Sequence, residues 1–335
     1  MKKRYWALLA ACLLLVLLAS CQSREDRIEP EFVFRYAENQ TEDYPTTLAG
    51  KYFAERVKEL TNGRIEIIVY ADELLGDERS VIEQLRFGGI DFSRLNLSPL
   101  AELDARYYVL QLPYLYDSSE HMWRVLDSDI GERYIQIAGD SQLCGLAWVD
   151  AGARSFYSRA PIHALEDMAG LRIRVQENML MQRLVESLGA LSQQMRYGIV
   201  LSALQTGEID SAENNIPSYL SMGHYLIAKY FIEDEHTRIP EMIVASQVTM
   251  EKLSAQDREI IQRAAHEAGL YQRELWSAYE KSAREQIVKG GSTIITLSPE
   301  TMSELVAAVS IVYDEFVLDR DDVDTVEKIR QLKAP

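Results

Sequence analysis

Cysteine is scarce in this 335-residue chain, which holds only Cys12, Cys21 and Cys144. There is no Cys-x-x-Cys pair, so neither a disulfide-stapled scaffold nor a thiolate zinc site is written into it. The five histidines, His121, His163, His224, His236 and His266, are dispersed, and no two stand at the i, i+4 spacing of a helical metal pair. Positive charge is also short. Lys+Arg number 35 against 52 Asp+Glu, a net charge of −17 that would repel the phosphates of nucleic acid. A Gly-x-Ser-x-Gly elbow, a phosphate-cradling glycine loop and His-Glu-x-x-His are all missing, so the residues give no positive sign of an enzyme, a metal or a cofactor. Beyond the first twenty residues the apolar runs are strand-sized, such as Leu143–Val149, and none is long enough to span a bilayer.

What is present begins with an export signature. Lys2, Lys3 and Arg4 form a cationic start, and Trp6 to Leu18 is an uncharged apolar run suited to a signal-peptide core. Leu18-Ala19-Ser20-Cys21 resembles the lipobox of bacterial lipoproteins, in which the cysteine is acylated and becomes the mature N-terminus. The expectation is a signal peptide over residues 1–20, lipidation of Cys21 and a polar tether over 21–30. An ordinary signal peptide with an incidental Cys21 is the alternative. Cleavage removes three cations and no acids, taking the net charge to −20. Cys144 is then the one thiol left, read as a small buried apolar residue. An exported, anchored protein outside the cytoplasm is expected.

About 310 mature residues exceed what one core usually supports, so two domains are expected. Segments of period two alternate with segments of period three to four. Phe32–Ala37 reads as a strand, Leu48–Leu60 as a helix ended by Asn62-Gly63, and Arg64–Tyr70 as a second strand. A helix then runs to about Phe87, and Ile90–Ser93 starts another strand. The rhythm recurs through Ala153–Ser158, Leu171–Gln176, the helices Leu180–Leu188 and Gly198–Gln205, and Ile209–Ala212. This is the pattern of parallel α/β sheets. A capping box at Ser254–Asp257 opens a helix that runs to about Lys289, long enough to bridge two domains. Thr293–Leu297 reads as a last strand and Pro299 to about Val317 as a last helix.

Three ordered stretches carry a resemblance. The first is Tyr70-Ala-Asp-Glu-Leu-Leu-Gly-Asp-Glu78, with Ile82–Leu85 and Gly89-Ile90-Asp91 behind it. The second is Gly152-Ala-Arg-Ser-Phe-Tyr-Ser158 with Leu165–Val175. The third is Ala203-Leu-Gln-Thr-Gly-Glu-Ile-Asp-Ser-Ala-Glu-Asn214. In this order and spacing, from about Phe32 to about Val317, they resemble the DctP-type family of solute-binding proteins from TRAP (tripartite ATP-independent periplasmic) transporters. The resemblance implies an α/β, two-domain clamp of the periplasmic-binding-protein kind, with crossing strands and a long interdomain helix. Domain I would comprise 31–151 with about 240–279, and domain II 152–239 with about 280–328.

It also implies ligand contacts. Arg174 matches the family arginine that grips a carboxylate, and Arg154 a second arginine that reaches the ligand. Arg172 and Arg174 share a strand face, since side chains alternate with period two. The matching position for Arg172 is commonly lysine, so it is read as a surface charge. Asn214 ends the family's Glu-Asn pair, although Asn215-Ile216 stands before Pro217 here and shifts the turn. Tyr197 is either an aromatic wall or core packing. Domain I would tell one acid from another through Glu38, Asn39, Gln40, Glu78, Arg94 and Asn96, with Arg94 either a second cation in the cleft or a solvated loop residue. His236 and Glu213 would organise the hinge or its surroundings.

The function implied is capture of a hydroxylated organic acid, a sugar acid such as a uronate first and a C4-dicarboxylate second. Delivery to the integral-membrane TRAP subunits would follow, through surfaces at the cleft mouth and without turnover. A sensor component using the same clamp and a periplasmic enzyme acting on an acid are the alternatives.

Overall fold

The computed structural model describes residues 29–333. The signal peptide, Cys21 and the tether up to residue 28 lie outside the described residues. Eleven strands form two sheets among the described residues. The first has the order β2-β1-β3-β10-β4, from β1 (Phe32–Ala37), β2 (Ile65–Tyr70), β3 (Phe92–Asn96), β4 (Leu143–Val149) and β10 (Glu241–Ser246). The second has the order β11-β9-β5-β8-β6-β7, from β5 (Ser155–Ser158), β6 (Arg172–Val175), β7 (Leu191–Gln194), β8 (Ser211–Asn214), β9 (Tyr230–Ile232) and β11 (Thr293–Ile295).

The parallel strand–helix units read from the rhythm are present, and antiparallel strands join them to make both sheets mixed. β1 pairs parallel with β2 and β3, and β6 with β7 and β8, as the strand–helix rhythm requires. β10, however, lies antiparallel between β3 and β4, and β5 antiparallel to β8 and β9. These exceptions flank the crossovers. The chain leaves the first sheet at the end of β4 and enters the second at β5, then returns from β9 to β10. The two crossing segments touch each other, with Arg154 N donating to Thr237 O at 2.8 Å in an isolated bridge. Gly152 in the first crossing has φ +64°, and a Cβ there would stand 2.9 Å from the Trp276 ring, so both backbone and space require glycine.

The helix Ala255–Lys289 has the bounds the capping box predicts, with the Ser254 hydroxyl accepting from Asp257 N at 3.1 Å. Its first half buries Ile261, Ala264, Ala265 and Ala268 against Phe34, Phe53 and Phe92 of the first half of the chain. Its second half buries Ala283 and Ile287 against Tyr157, Tyr219 and Phe231 of the other. One rigid element therefore belongs to both cores. The expected helix Pro299–Val317 is two, Pro299–Ala308 and Ile311–Phe316, and the Ser310 hydroxyl between them bonds back to Ala307 O at 2.7 Å. The last helix, Arg320–Gln331, packs on the first half, where His121 Nε2 meets Ile329 O at 2.8 Å and Arg133 pairs with Asp321. The sequence reading gave residues 320–328 to domain II, and the helix that holds them packs on the first half through these contacts and on Tyr313 through Arg330. Cys144 is half-buried rather than buried, and burial pushes its thiol pKa up.

Candidate functional site

Parallel β–α units leave their strand ends facing the gap between the two halves. Into that gap come Asn39 and Gln40 after β1, Arg94 and Asn96 on β3, Glu78 at the start of the helix Glu78–Arg86, and Glu241, the first residue of β10. From the other side come Arg154 of the crossing, Arg174 of β6, Tyr197 after β7, and Asn214 at the end of β8. They enclose a cavity of about 310 Å³.

The three buried arginines at this cavity differ in their partners. Arg94 is 2 % exposed and is held by Glu38, Glu78 and Glu241 together. Its Nε, Nη1 and Nη2 all donate to these carboxylates, and Nη2 also to Asn39 Oδ1. It is therefore neither a solvated loop residue nor a free second cation. Arg154 pairs with Glu213 through Nε, donates from Nη2 to Glu213 O at 3.0 Å, and from Nη1 to Asn214 Oδ1 at 3.0 Å.

Arg174, 3 % exposed, has no carboxylate within 4.0 Å among the described residues. Its Nε and Nη2 both donate to the carbonyl oxygen of Met195, at 2.9 and 2.7 Å, and Nη1 has no partner among the described residues. Burial lowers its pKa and the neighbouring Arg154 adds to this, with Glu213 opposing. A buried guanidinium in this condition gains from any anion brought to its free edge.

The chain elements explain why the other predicted residues lie where they do. Glu38 sits behind the cavity wall, accepting from the amides of Asn39 and Gln40 at 2.9 and 3.1 Å while it grips Arg94. His236 also stands off the cavity. It stacks on Phe156 at 4.3 Å, and its Nδ1 donates to Asp234 Oδ2 at 2.8 Å. Burial alone would depress its pKa, but Asp234 and then Glu213 outweigh that and raise it to about 9. Burial would likewise raise Glu213, but Arg154 and His236 hold it down at about 2. Asp234, His236, Glu213 and Arg154 form a buried chain of alternating charge beneath Asn214. Tyr197 is half-buried and its hydroxyl donates to Gln40 Oε1 at 3.3 Å, so it serves as a wall and as a link between the halves. Arg172 is bound by Asp210 at 2.9 and 2.7 Å, outside the cavity lining.

The shifted turn after Asn214 has a simple outcome. Asn215 caps the helix Ile216–Ser221, accepting from Ser218 N at 2.7 Å, and its Nδ2 donates to Ala151 O at 2.8 Å. Asn214 stays in β8.

Sequence reasoning missed Glu241, Gln176, Asn215 and Ser218, all of which line the cavity. Gln176 was findable, since it stands two residues after Arg174 and so on the same face. Glu241 opens a strand whose apolar run, Met242–Ala245, carries no alternation. The halves also meet directly. Ser98 Oγ donates to Gln176 Oε1 at 2.9 Å, Asn178 Nδ2 to Ser98 O at 3.0 Å, Arg196 pairs with Asp77 at 3.2 Å, and Tyr44 Oη lies 2.9 Å from Ser218 Oγ.

Comparison with known proteins gives a consistent result. A family model described as DctP, bacterial extracellular solute-binding protein, family 7, matches residues 36–319. A solute-binding protein of Chromohalobacter salexigens is 36 % identical over 284 residues, 84 % of each chain. A TRAP periplasmic solute-binding protein of Xanthobacter autotrophicus, solved with bound β-D-galacturonate, superposes with a TM-score of 0.87 at 36 % identity, covering 90 % of this chain and all of that one. One from Pseudomonas putida, with bound D-glucuronate, superposes with a TM-score of 0.87 at 30 % identity, covering 90 % and 98 %.

Proposed function

The chain belongs to the bacterial extracellular solute-binding proteins of family 7, and from that premise we propose that it captures a sugar acid, a hexuronate first, on Arg174 and delivers it to the membrane subunits of a TRAP transporter. The observation that carries this reading is the buried Arg174 guanidinium, which faces the cavity with no carboxylate of its own. A planar fork with free N–H groups matches a carboxylate in two parallel bonds, and a dry site strengthens them. Asn214 Nδ2 and the spare Arg154 donors stand beside it for the same carboxylate. Opposite, Glu78, Glu241 and Asn39 offer acceptors and a donor to hydroxyls. The galacturonate and glucuronate held by the two structural neighbours support the choice of acid. A volume of about 310 Å³ is at the small end of small-molecule sites.

The protein holds this ligand without converting it, and the crossings at Gly152–Arg154 and Asp234–Pro240 act as the hinge between domain I and domain II. It works outside the cytoplasm, tied to a membrane by acylated Cys21. Screening uronates, aldonates, C4-dicarboxylates and keto acids by thermal shift tests the reading, since a ligand that binds only the folded form raises the melting temperature. A hexuronate should give the largest shift. If no sugar acid shifts the transition, the reading is wrong. Cys21→Ser should move the processed protein to the soluble fraction, and retention on membranes would contradict acylation there.

A further inference from the structure

The two walls of the cavity carry unequal charge. On the second-sheet side the buried ionic groups are Arg174, Arg154 and protonated His236 against Glu213 and Asp234, an excess of one positive charge. On the first-sheet side one guanidinium, Arg94, faces three carboxylates, Glu38, Glu78 and Glu241. Even with one of the three protonated, that wall carries excess negative charge.

The bonding within the acidic wall is as telling as its charge. Nε, Nη1 and Nη2 of Arg94 are all already donating to Glu38, Glu78, Glu241 and Asn39, so it has little to offer an incoming carboxylate. Glu78 and Glu241 each use a single oxygen, Oε1. Glu78 Oε1 accepts from Asn96 N at 2.9 Å and from Arg94, and Glu241 Oε1 accepts from Asn96 Nδ2 at 3.1 Å and from Arg94. The Oε2 atoms of both have no partner among the described residues, and both residues line the cavity. Ionised carboxylates accept and do not donate, so these oxygens welcome hydroxyl hydrogens and repel a second anion. Burial pushes Glu241 up to about 7, with Arg94 opposing and Glu78 and Glu38 adding, as expected for carboxylates crowded on one cation.

We infer that this cleft selects singly charged polyhydroxy acids and rejects doubly charged ones, with Glu78 and Glu241 as the residues that turn a second carboxylate away. The inference rests on the reading of Arg174 as the carboxylate site and orders the two ligand classes that the sequence left open. A mono-acid places its charge on the positive wall and its hydroxyls on Glu78 and Glu241. A diacid of similar length must put its second anion against a wall that keeps an excess of negative charge even when one of its carboxyls is protonated.

The test compares D-galacturonate, D-galactonate and galactarate by calorimetric titration. Galactonate and galactarate are both open six-carbon chains and differ only in whether the far end is a hydroxymethyl or a carboxylate. The wild-type protein should bind at least one mono-acid roughly 30-fold or more tighter than galactarate. Glu78→Gln and Glu241→Gln, made separately so that one misfolded variant leaves the other, should each narrow that gap by raising galactarate affinity. Equal wild-type affinity for the mono-acid and galactarate overturns the inference and leaves the Arg174 reading standing. So does a gap that neither folded variant narrows. If none of the three acids binds, the Arg174 reading falls and the inference falls with it.

Discussion

Arg154 Nη1 donates to Asn214 Oδ1 at 3.0 Å, and the same oxygen accepts from the Asn215 amide at 2.8 Å. The side-chain oxygen of Asn214 is therefore used within the protein, and its Nδ2 is the group left to face the cavity. Asn214→Asp keeps the acceptor but replaces that donor with a second anionic oxygen. Loss of one hydrogen bond to a charged ligand costs about 1.5–3 kcal/mol, or about 10- to 150-fold in affinity. Calorimetry with a hexuronate should show at least that loss, because the new anionic oxygen also repels the ligand carboxylate, and unchanged affinity would mean that Asn214 does not touch the ligand.

Closure should follow the ligand. Tyr197 Oη reaches Gln40 Oε1 across the gap, so Tyr197→Phe keeps the ring and removes one link between the halves. A neutral hydrogen bond is worth about 0.5–1.5 kcal/mol, so apparent affinity should fall by about 2- to 12-fold. Small-angle scattering should show the wild-type protein compacting on saturation with a hexuronate. A radius of gyration that does not change would count against a clamp.

His236 should give stability a pH dependence in the alkaline direction. Its pKa is raised from 6.5 to about 9 by Asp234 and Glu213 against the opposing effect of burial. A raised pKa means the folded state binds the proton more tightly. The stabilisation is thus complete below about 6.5 and is lost as pH climbs through about 9. The His236 ring signals in NMR should stay in the protonated form at pH 7.5. Titration near 6.5 would remove this account of the chain from Asp234 to Arg154.

Periodic segments were the legible part of the fold. Phe32–Ala37 and Ala255–Lys289 come out with the bounds read from alternation and from the Ser254 cap, because each carries its own local signal. The direction of β10 had none. Its antiparallel place between β3 and β4 depends on the chain returning from the second sheet, a fact of topology that no window of residues contains. The same divide runs through the site. Arg154, Arg174 and Asn214 reach the cavity from motifs that lie close in sequence to the strand ends that hold them. Glu241 comes from 147 residues after Arg94, and only the folded sheet brings the two together. Charge compensation was the least visible quantity. Arg94 read as a candidate cation until Glu38, Glu78 and Glu241 closed around it, while Arg172 and Arg174, two residues apart, differ because Asp210 lies beside one and a main-chain carbonyl beside the other.

That last contrast supplies the most direct measurement. Arg174→Lys keeps the positive charge but loses the planar fork, and Arg172→Lys changes the same residue type on the same strand outside the cavity. Titration of both variants with a hexuronate should show Arg174→Lys weaker by about 2–4 kcal/mol, roughly 30- to 1000-fold, and Arg172→Lys within about threefold of wild type. Equal retention of affinity by the two variants, or a larger loss in Arg172→Lys, would contradict the assignment of Arg174 as the carboxylate site.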